Sequence, residues 1–129
     1  MPVTGRLTTK GFDEFLERIA EAGRSVDDAA DRALAAGGQV ALEGMDRRVP
    51  KDTHHLESRL FVGKPQANGN YHFVEVGLDL SDRSDLYGIF QEYGTARMAA
   101  HPYIRPTFDE DKAKIRAAIR KSLEEDGTL

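Results

Sequence analysis

The chain of 129 residues has no cysteine and no tryptophan, and aromatic residues are only 8% of it. Without cysteine there is no disulfide, no thiolate nucleophile and no cysteine-built zinc site. No stretch approaches the roughly 18 consecutive apolar residues of a membrane-spanning helix. The opening Met1-Pro2-Val3-Thr4-Gly5-Arg6 lacks the apolar core of a secretory signal, which predicts synthesis in the cytoplasm. A basic excess is missing too: 18 Lys and Arg stand against 22 Asp and Glu, a net charge of −4. That balance argues against a general nucleic-acid binder. The remainder, 40% apolar and 31% charged, suits one soluble domain.

Residues 1–10 are short and polar and read as a flexible arm, followed by a single domain over 11–125 and a tail over 126–129. Phe12, Phe15, Leu16 and Ile19 have the spacing of one helix face, and Gly23 offers a stop. Ser25-Val26-Asp27-Asp28 has the form of a capping box opening a second, Ala-rich helix. Its small side chains allow close approach and make it the central packing helix, with Gly37-Gly38 a point of weakness. Arg47 and Arg48 suit its C-terminal end, and Pro50 ends it. Leu60–Val62 and Phe73–Leu78 alternate as strands around Asn68-Gly69, a hairpin signal. A short helix is expected over 85–93. A last one is expected from Thr107, whose hydroxyl and Glu110 repeat the capping-box pattern, with Phe108, Ile115, Ala118, Ile119 and Leu123 as its apolar stripe. The order gives an α+β fold: N-terminal helices and a C-terminal helix packed on a small antiparallel β-hairpin sheet, with a long interaction loop. A lone hairpin is marginal in water, so its apolar face must rest on the helices.

Catalytic chemistry has little to stand on. His54 and His55 are neighbours and point apart in any regular element, and with His72 and His101 they form no metal-binding spacing. Glu92 with Asp79 or Asp85 is the conceivable carboxylate pair, but nothing brings them to a common cleft. There is no nucleophile elbow and no phosphate-cradling loop. No catalytic residue, metal or cofactor is expected. The basic clusters around Arg47, Arg48, Lys51, Arg59 and Lys64 and on the last helix read as solvated faces, with phosphate contact as the alternative.

One stretch differs in kind. Gly94-Thr95-Ala96-Arg97-Met98-Ala99-Ala100-His101-Pro102-Tyr103 is too apolar at its centre for a freely solvated loop and would leave an exposed patch if uncovered. Gly94, Thr95, Arg97, Met98, Ala99, Ala100, His101, Pro102 and Tyr103 are therefore the candidate subunit-contact residues. For Tyr103 and Ile104, packing on the chain's own core is the equal alternative.

The run from Tyr87 to Pro106, with Tyr87, Phe90, Glu92, Gly94, Thr95, Met98, Pro102, Tyr103, Arg105 and Pro106 at its marked positions, resembles the signature of a siphophage neck family. This is the gene-product-ten-like family of lambdoid phages, also known as tail-component or head–tail joining proteins. Upstream, Val49-Pro50-Lys51-Asp52-Thr53-His54-His55-Leu56 is similar to the family's Ala-Pro-x-Asp-Thr-Gly-x-Leu, matching at Pro50, Asp52, Thr53 and Leu56. His54 stands where the family has glycine, so the turn here departs from the family's pattern. The resemblance implies a virion structural protein, not an enzyme, made in a host bacterium and placed at the head–tail junction. It implies a homo-oligomeric ring, expected to be hexameric, through which DNA passes, beside neighbouring connector and tail-tube or tail-terminator proteins, with no membrane role. The alternatives are a tail-terminator or head-completion ring and, from another class, a small nucleic-acid-binding module. Within the motif, Arg105 is expected to pair with Glu92 across the base of the loop. An acidic excess would suit a lumen that does not hold DNA.

Overall fold

Ala and Gly supply most of the inner face of the longest helix, so its neighbours come close to its axis. The computed structural model of the protein describes residues 3–49, 59–69, 71–79, 92–93 and 102–127. Within these, α1 spans Asp13–Glu21 and α2 Val26–Arg48. The Ser25 hydroxyl accepts from the Asp28 N–H at 3.2 Å, as the capping signal predicts, and Asp27 and Asp28 occupy the first turn. Between the helices, Gly23 takes φ 75°. Its N–H and that of Arg24 reach back to the Ala20 and Ile19 carbonyls, closing α1 with a Schellman motif.

The pair Gly37-Gly38 does not break α2, which runs unbroken for 23 residues. A Cβ at Gly37 would sit 2.7 Å from Ile119 Cγ1, and one at Gly38 2.7 Å from Val62 Cγ1. These glycines are seats for two neighbouring elements. Packing gained by the close approach offsets the propensity penalty of about 1 kcal/mol per glycine.

The strands are β1 (Val3–Thr8), β2 (Leu60–Val62), β3 (Gln66–Asn68) and β4 (Tyr71–Leu78). All pairings are antiparallel to β4, which lies centrally with β1 on one side and β2 and β3 on the other. The expected hairpin is present, with Gly69 at φ 60° in its turn. Val62 pairs with Val76 and Gln66 with Phe73, so three residues (63–65) oppose two (74–75), a bulge at Gly63-Lys64-Pro65. Residues 3–8 are not an arm. Val3 pairs with Leu78 and Thr8 with Phe73, making β1 the second long strand of the sheet. On the face toward α2, Leu7, Val74, Val76 and Leu78 are buried beside Leu60 and Val62.

Two helices close the fold: α3 (Ile104–Glu110) and α4 (Lys112–Gly127). The start expected at Thr107 comes three residues too late. Thr107 is buried inside α3, and its hydroxyl donates to the Tyr103 carbonyl at 2.7 Å. Ile115, Ile119 and Leu123 are buried along α4 as the stripe predicts. Nor does 126–129 begin as a tail, since α4 continues to Gly127 and the Asp126 carboxylate binds Arg32 at 2.9 Å. At the α3–α4 junction the buried Asp111 carboxylate meets Arg47 and Arg48 from the end of α2. Hydrogen bonds from Arg48 hold the Asp111 carboxyl below the usual range, and the same bonds raise the Arg48 guanidinium above its own. The two arginines expected to serve the helix dipole thus also tie α2 to the C-terminal helices.

A helix cap at the base of the candidate contact segment

Any helix begins with N–H groups that have no partner within it. At the start of α3 that demand is met from outside. Tyr103, the N-cap residue, offers no side-chain cap of its own. The carboxylate of Glu92, fully buried, takes that place. Its Oε1 accepts from the N–H groups of Tyr103 at 2.9 Å and Ile104 at 2.7 Å, and its Oε2 from the Arg105 N–H at 3.1 Å. Pro106, next in the first turn, has no N–H to satisfy. The negative charge also lies at the positive end of the helix dipole.

Arg105 completes the arrangement. Its Nε donates to Glu92 Oε2 at 2.8 Å, and its Nη2 donates to the Glu92 carbonyl. The guanidinium stands 4.8 Å from the centre of the Tyr93 ring. Burial alone would raise the Glu92 pKa. The Ile104 N–H, the Arg105 guanidinium and the Tyr103 and Arg105 N–H groups outweigh it and hold the carboxyl below its ordinary value. Burial pushes the Tyr103 phenol up, and the Glu92 charge adds to the effect. Tyr93, 56% exposed, and Arg105 present the outer surface of the cluster.

The Glu92–Arg105 pair expected from the motif is therefore formed. The three backbone bonds to the same carboxylate were not anticipated; a proline in the first turn of an uncapped helix was the available signal. Tyr103 and Ile104 take the alternative of packing on the chain's own core, being 0% and 5% exposed. Tyr103 is thus a core residue and not a contact residue. Pro102 is half-buried beside it, and Pro106 lies within α3. Of the short helix expected over 85–93, only Glu92 and Tyr93 are described, and both are helical. Gly94, Thr95, Arg97, Met98, Ala99, Ala100, His101, Tyr87, Phe90, Pro50, Asp52, Thr53 and Leu56 lie outside the described residues, as do His54, His55 and Asp85.

The carboxylates considered for acid–base work have separate duties. Glu92 caps a helix, and the exposed Asp79 lies 3.6 Å from Arg59. His72 sits between Asp27, 3.1 Å from its Nε2, and Asp31, 3.5 Å from its Nδ1. Among the described residues no group of three or more His, Asp or Glu could hold a metal ion, and no helix is long and apolar enough to cross a membrane.

Residues 13–94, more than half of the chain, match the model of the HK97-gp10-like family, described as "Bacteriophage HK97-gp10, putative tail-component". The chain belongs to this family. The HK97-gp10-like match takes in α1, α2, the hairpin, the Val49–Leu56 motif and the Tyr87–Gly94 half of the second motif. It includes Glu92, whereas Tyr103 and Arg105, which Glu92 binds, lie beyond its end. Comparison with curated proteins and with solved structures gave no match.

Proposed function

We propose that the protein is a ring-forming structural component at the head–tail joint of a tailed phage, through whose lumen DNA passes, and that it has no catalytic role. Membership of a tail-component family is the observation that carries this reading. The Glu92 cap supports it. The apolar stretch 94–101 lies in sequence between Tyr93 and Pro102, and the Glu92 carboxylate ties together the described residues on either side of it. Holding the ends lowers the ordering entropy lost when such a segment docks on a neighbour. Met98 adds a side chain able to adapt its shape to a partner surface. Segment 94–101 is thus the proposed subunit contact, with the exposed Tyr93 and Arg105 at its rim; Tyr and Arg are favoured in such positions.

Size-exclusion chromatography with light scattering tests the reading, on the intact chain and on a variant lacking Ala96–Ala100. The intact chain is expected to run as a closed oligomer and the deletion variant as a folded monomer. A deletion variant that keeps the full oligomeric mass would refute the assignment of the contact.

A further inference from the structure

The recesses beside the two edges of the sheet are lined by opposite charge. Phe73 in the central strand pairs with Thr8 of β1 on one side and Gln66 of β3 on the other, so β1 and β3 mark opposite edges. Beside β1, a groove of about 270 Å³ opens toward the α3–α4 turn. Leu7, Ile115 and Ile119 form its buried floor, and half-buried Phe108 lines it as well. Its exposed rim holds Arg6, Lys112 and Arg116 beside one lining acid, Asp109, and Arg6 also lies 3.8 Å from Glu75. Two of these cations are steadied by rings: Arg6 lies 4.1 Å over Phe73 and Arg116 4.7 Å over Phe12.

Beside β3 the sign reverses. A recess of about 260 Å³ is lined by Asp27, Asp31, Pro65, Gln66, Ala67 and His72. The Asp27 side chain is 81% exposed and that of Asp31 48%, so both carboxylates remain open to a partner beyond His72. All three residues of β3 are exposed.

We infer that the basic groove beside β1 receives the acidic β3 edge of a second copy of this chain. Pro65 and Ala67 then meet the apolar floor, while Asp27 and Asp31 face Arg6, Lys112 and Arg116. Because the surfaces differ and lie at opposite edges, the contact is head-to-tail, the kind that closes into a ring by rotation. Nucleic acid fits the groove less well. The floor is apolar, Asp109 would oppose a phosphate, and a complementary acidic surface already exists on the same chain. This inference rests on the ring reading above and names the surfaces that build the ring.

The test uses two charge reversals at exposed positions, Lys112→Glu and Asp27→Lys, with Lys112→Gln and Asp27→Asn as milder forms and circular dichroism to check folding. Each reversal alone is expected to raise the dissociation constant of the oligomer at least tenfold, read by light scattering across a concentration series. An equimolar mixture of the two reversals restores assembly, because every head-to-tail contact then joins opposite charges again. Failure of the mixture to recover, or wild-type mass in both single variants, overturns this pairing and leaves the ring reading intact. A wild-type chain that is monomeric at every concentration overturns both. Loss of salt-sensitive retention of a DNA duplex by Lys112→Glu, with its oligomeric mass unchanged, would reassign the groove to nucleic acid.

Discussion

Arg48 and Asp111, 63 positions apart, meet as a two-pronged pair: Nη1 donates to Oδ2 at 2.8 Å and Nη2 to Oδ1 at 3.1 Å. Such forked geometry fixes direction as well as distance. The same guanidinium reaches the Gly44 carbonyl and the Thr107 hydroxyl, both at 3.1 Å. The end of α2 is thereby fastened to the turn between α3 and α4. Asp111→Ala leaves Arg48 without the carboxylate it forks onto, and Arg48→Ala leaves the buried Asp111 with only the more exposed Arg47. Arg48→Ala or Asp111→Ala is therefore expected to cost on the order of 3 kcal/mol in urea unfolding. Arg47, whose side chain is 55% exposed, also binds Asp111, and Arg47→Ala is expected to cost under about 1 kcal/mol. Equal losses for Arg47→Ala and Arg48→Ala would contradict this ranking.

The Glu92 cap predicts a graded response. Glu92→Gln keeps the shape but loses the charge and sets an amide NH₂ among donors, at an expected cost of about 2 kcal/mol. Glu92→Ala leaves three N–H groups and the Arg105 Nε without their acceptor and is expected to cost about 3 kcal/mol or more. Thermal and urea unfolding of the two variants measure the order.

Acid should find the same residue. Glu92 and Asp111 both have folded pKa values below their ordinary ones. Their contribution to stability is therefore fully present above the ordinary carboxylate range near pH ~4 and is lost as pH falls through the depressed folded values. The wild type should show a falling acid limb of stability, and Glu92→Gln a shallower one. Superimposable pH profiles would remove Glu92 from the account.

Glycine-to-alanine changes in a helix interior ordinarily stabilise by up to about 1 kcal/mol. In α2 the opposite is expected. A Cβ at Gly44 would lie 2.3 Å from Asp111 Oδ2 and disturb the forked pair, so Gly44→Ala should be the most damaging. Gly37→Ala presses on Ile119, which is buried, and Gly38→Ala on Val62, which is half-buried and yields more easily. The predicted order of destabilisation is Gly44, Gly37, Gly38, checked by chemical denaturation. Stabilisation by Gly37→Ala would show that α4 does not approach α2 as described.

A double-mutant cycle probes β1. A Cβ at Gly5 would fall 2.1 Å from the Phe108 ring, so Gly5→Ala is expected to cost about 1–3 kcal/mol. With Phe108→Ala in the background most of that cost should vanish, giving a coupling energy of about 1 kcal/mol or more. Additive effects would place Phe108 away from β1.

The parts of the fold readable from sequence are those specified by neighbours along the chain. Ser25 and Gly23 set helix ends through bonds spanning a few residues. The period of Ile115, Ile119 and Leu123 gave the buried stripe of α4, and Asn68-Gly69 gave the hairpin. What escaped depends on distant partners. Val3, Gly5 and Leu7 do alternate with polar residues, but Gly5 and the threonines blur the pattern, and β1 exists because β4, some 70 positions later, accepts it. The start of α3 is set by a carboxylate 11 residues before Tyr103, so the local capping signal at Thr107 misplaced it. At the candidate site the Glu92–Arg105 pair was legible from the motif, whereas the opposed charges at the two sheet edges needed the topology.

The knot at Glu92 also has a consequence for how such a protein can diverge. Bonds from Glu92 to Tyr103, Ile104 and Arg105 hold the described residues on either side of positions 94–101 at a fixed separation. Doubling the length of chain between two fixed ends costs only about 0.6 kcal/mol of closure entropy. Residues can be inserted, deleted or exchanged between the moorings while α2, β4 and α3 keep their registry. A chain moored in this way could change its sequence between Tyr93 and Pro102 without having to relearn how to fold.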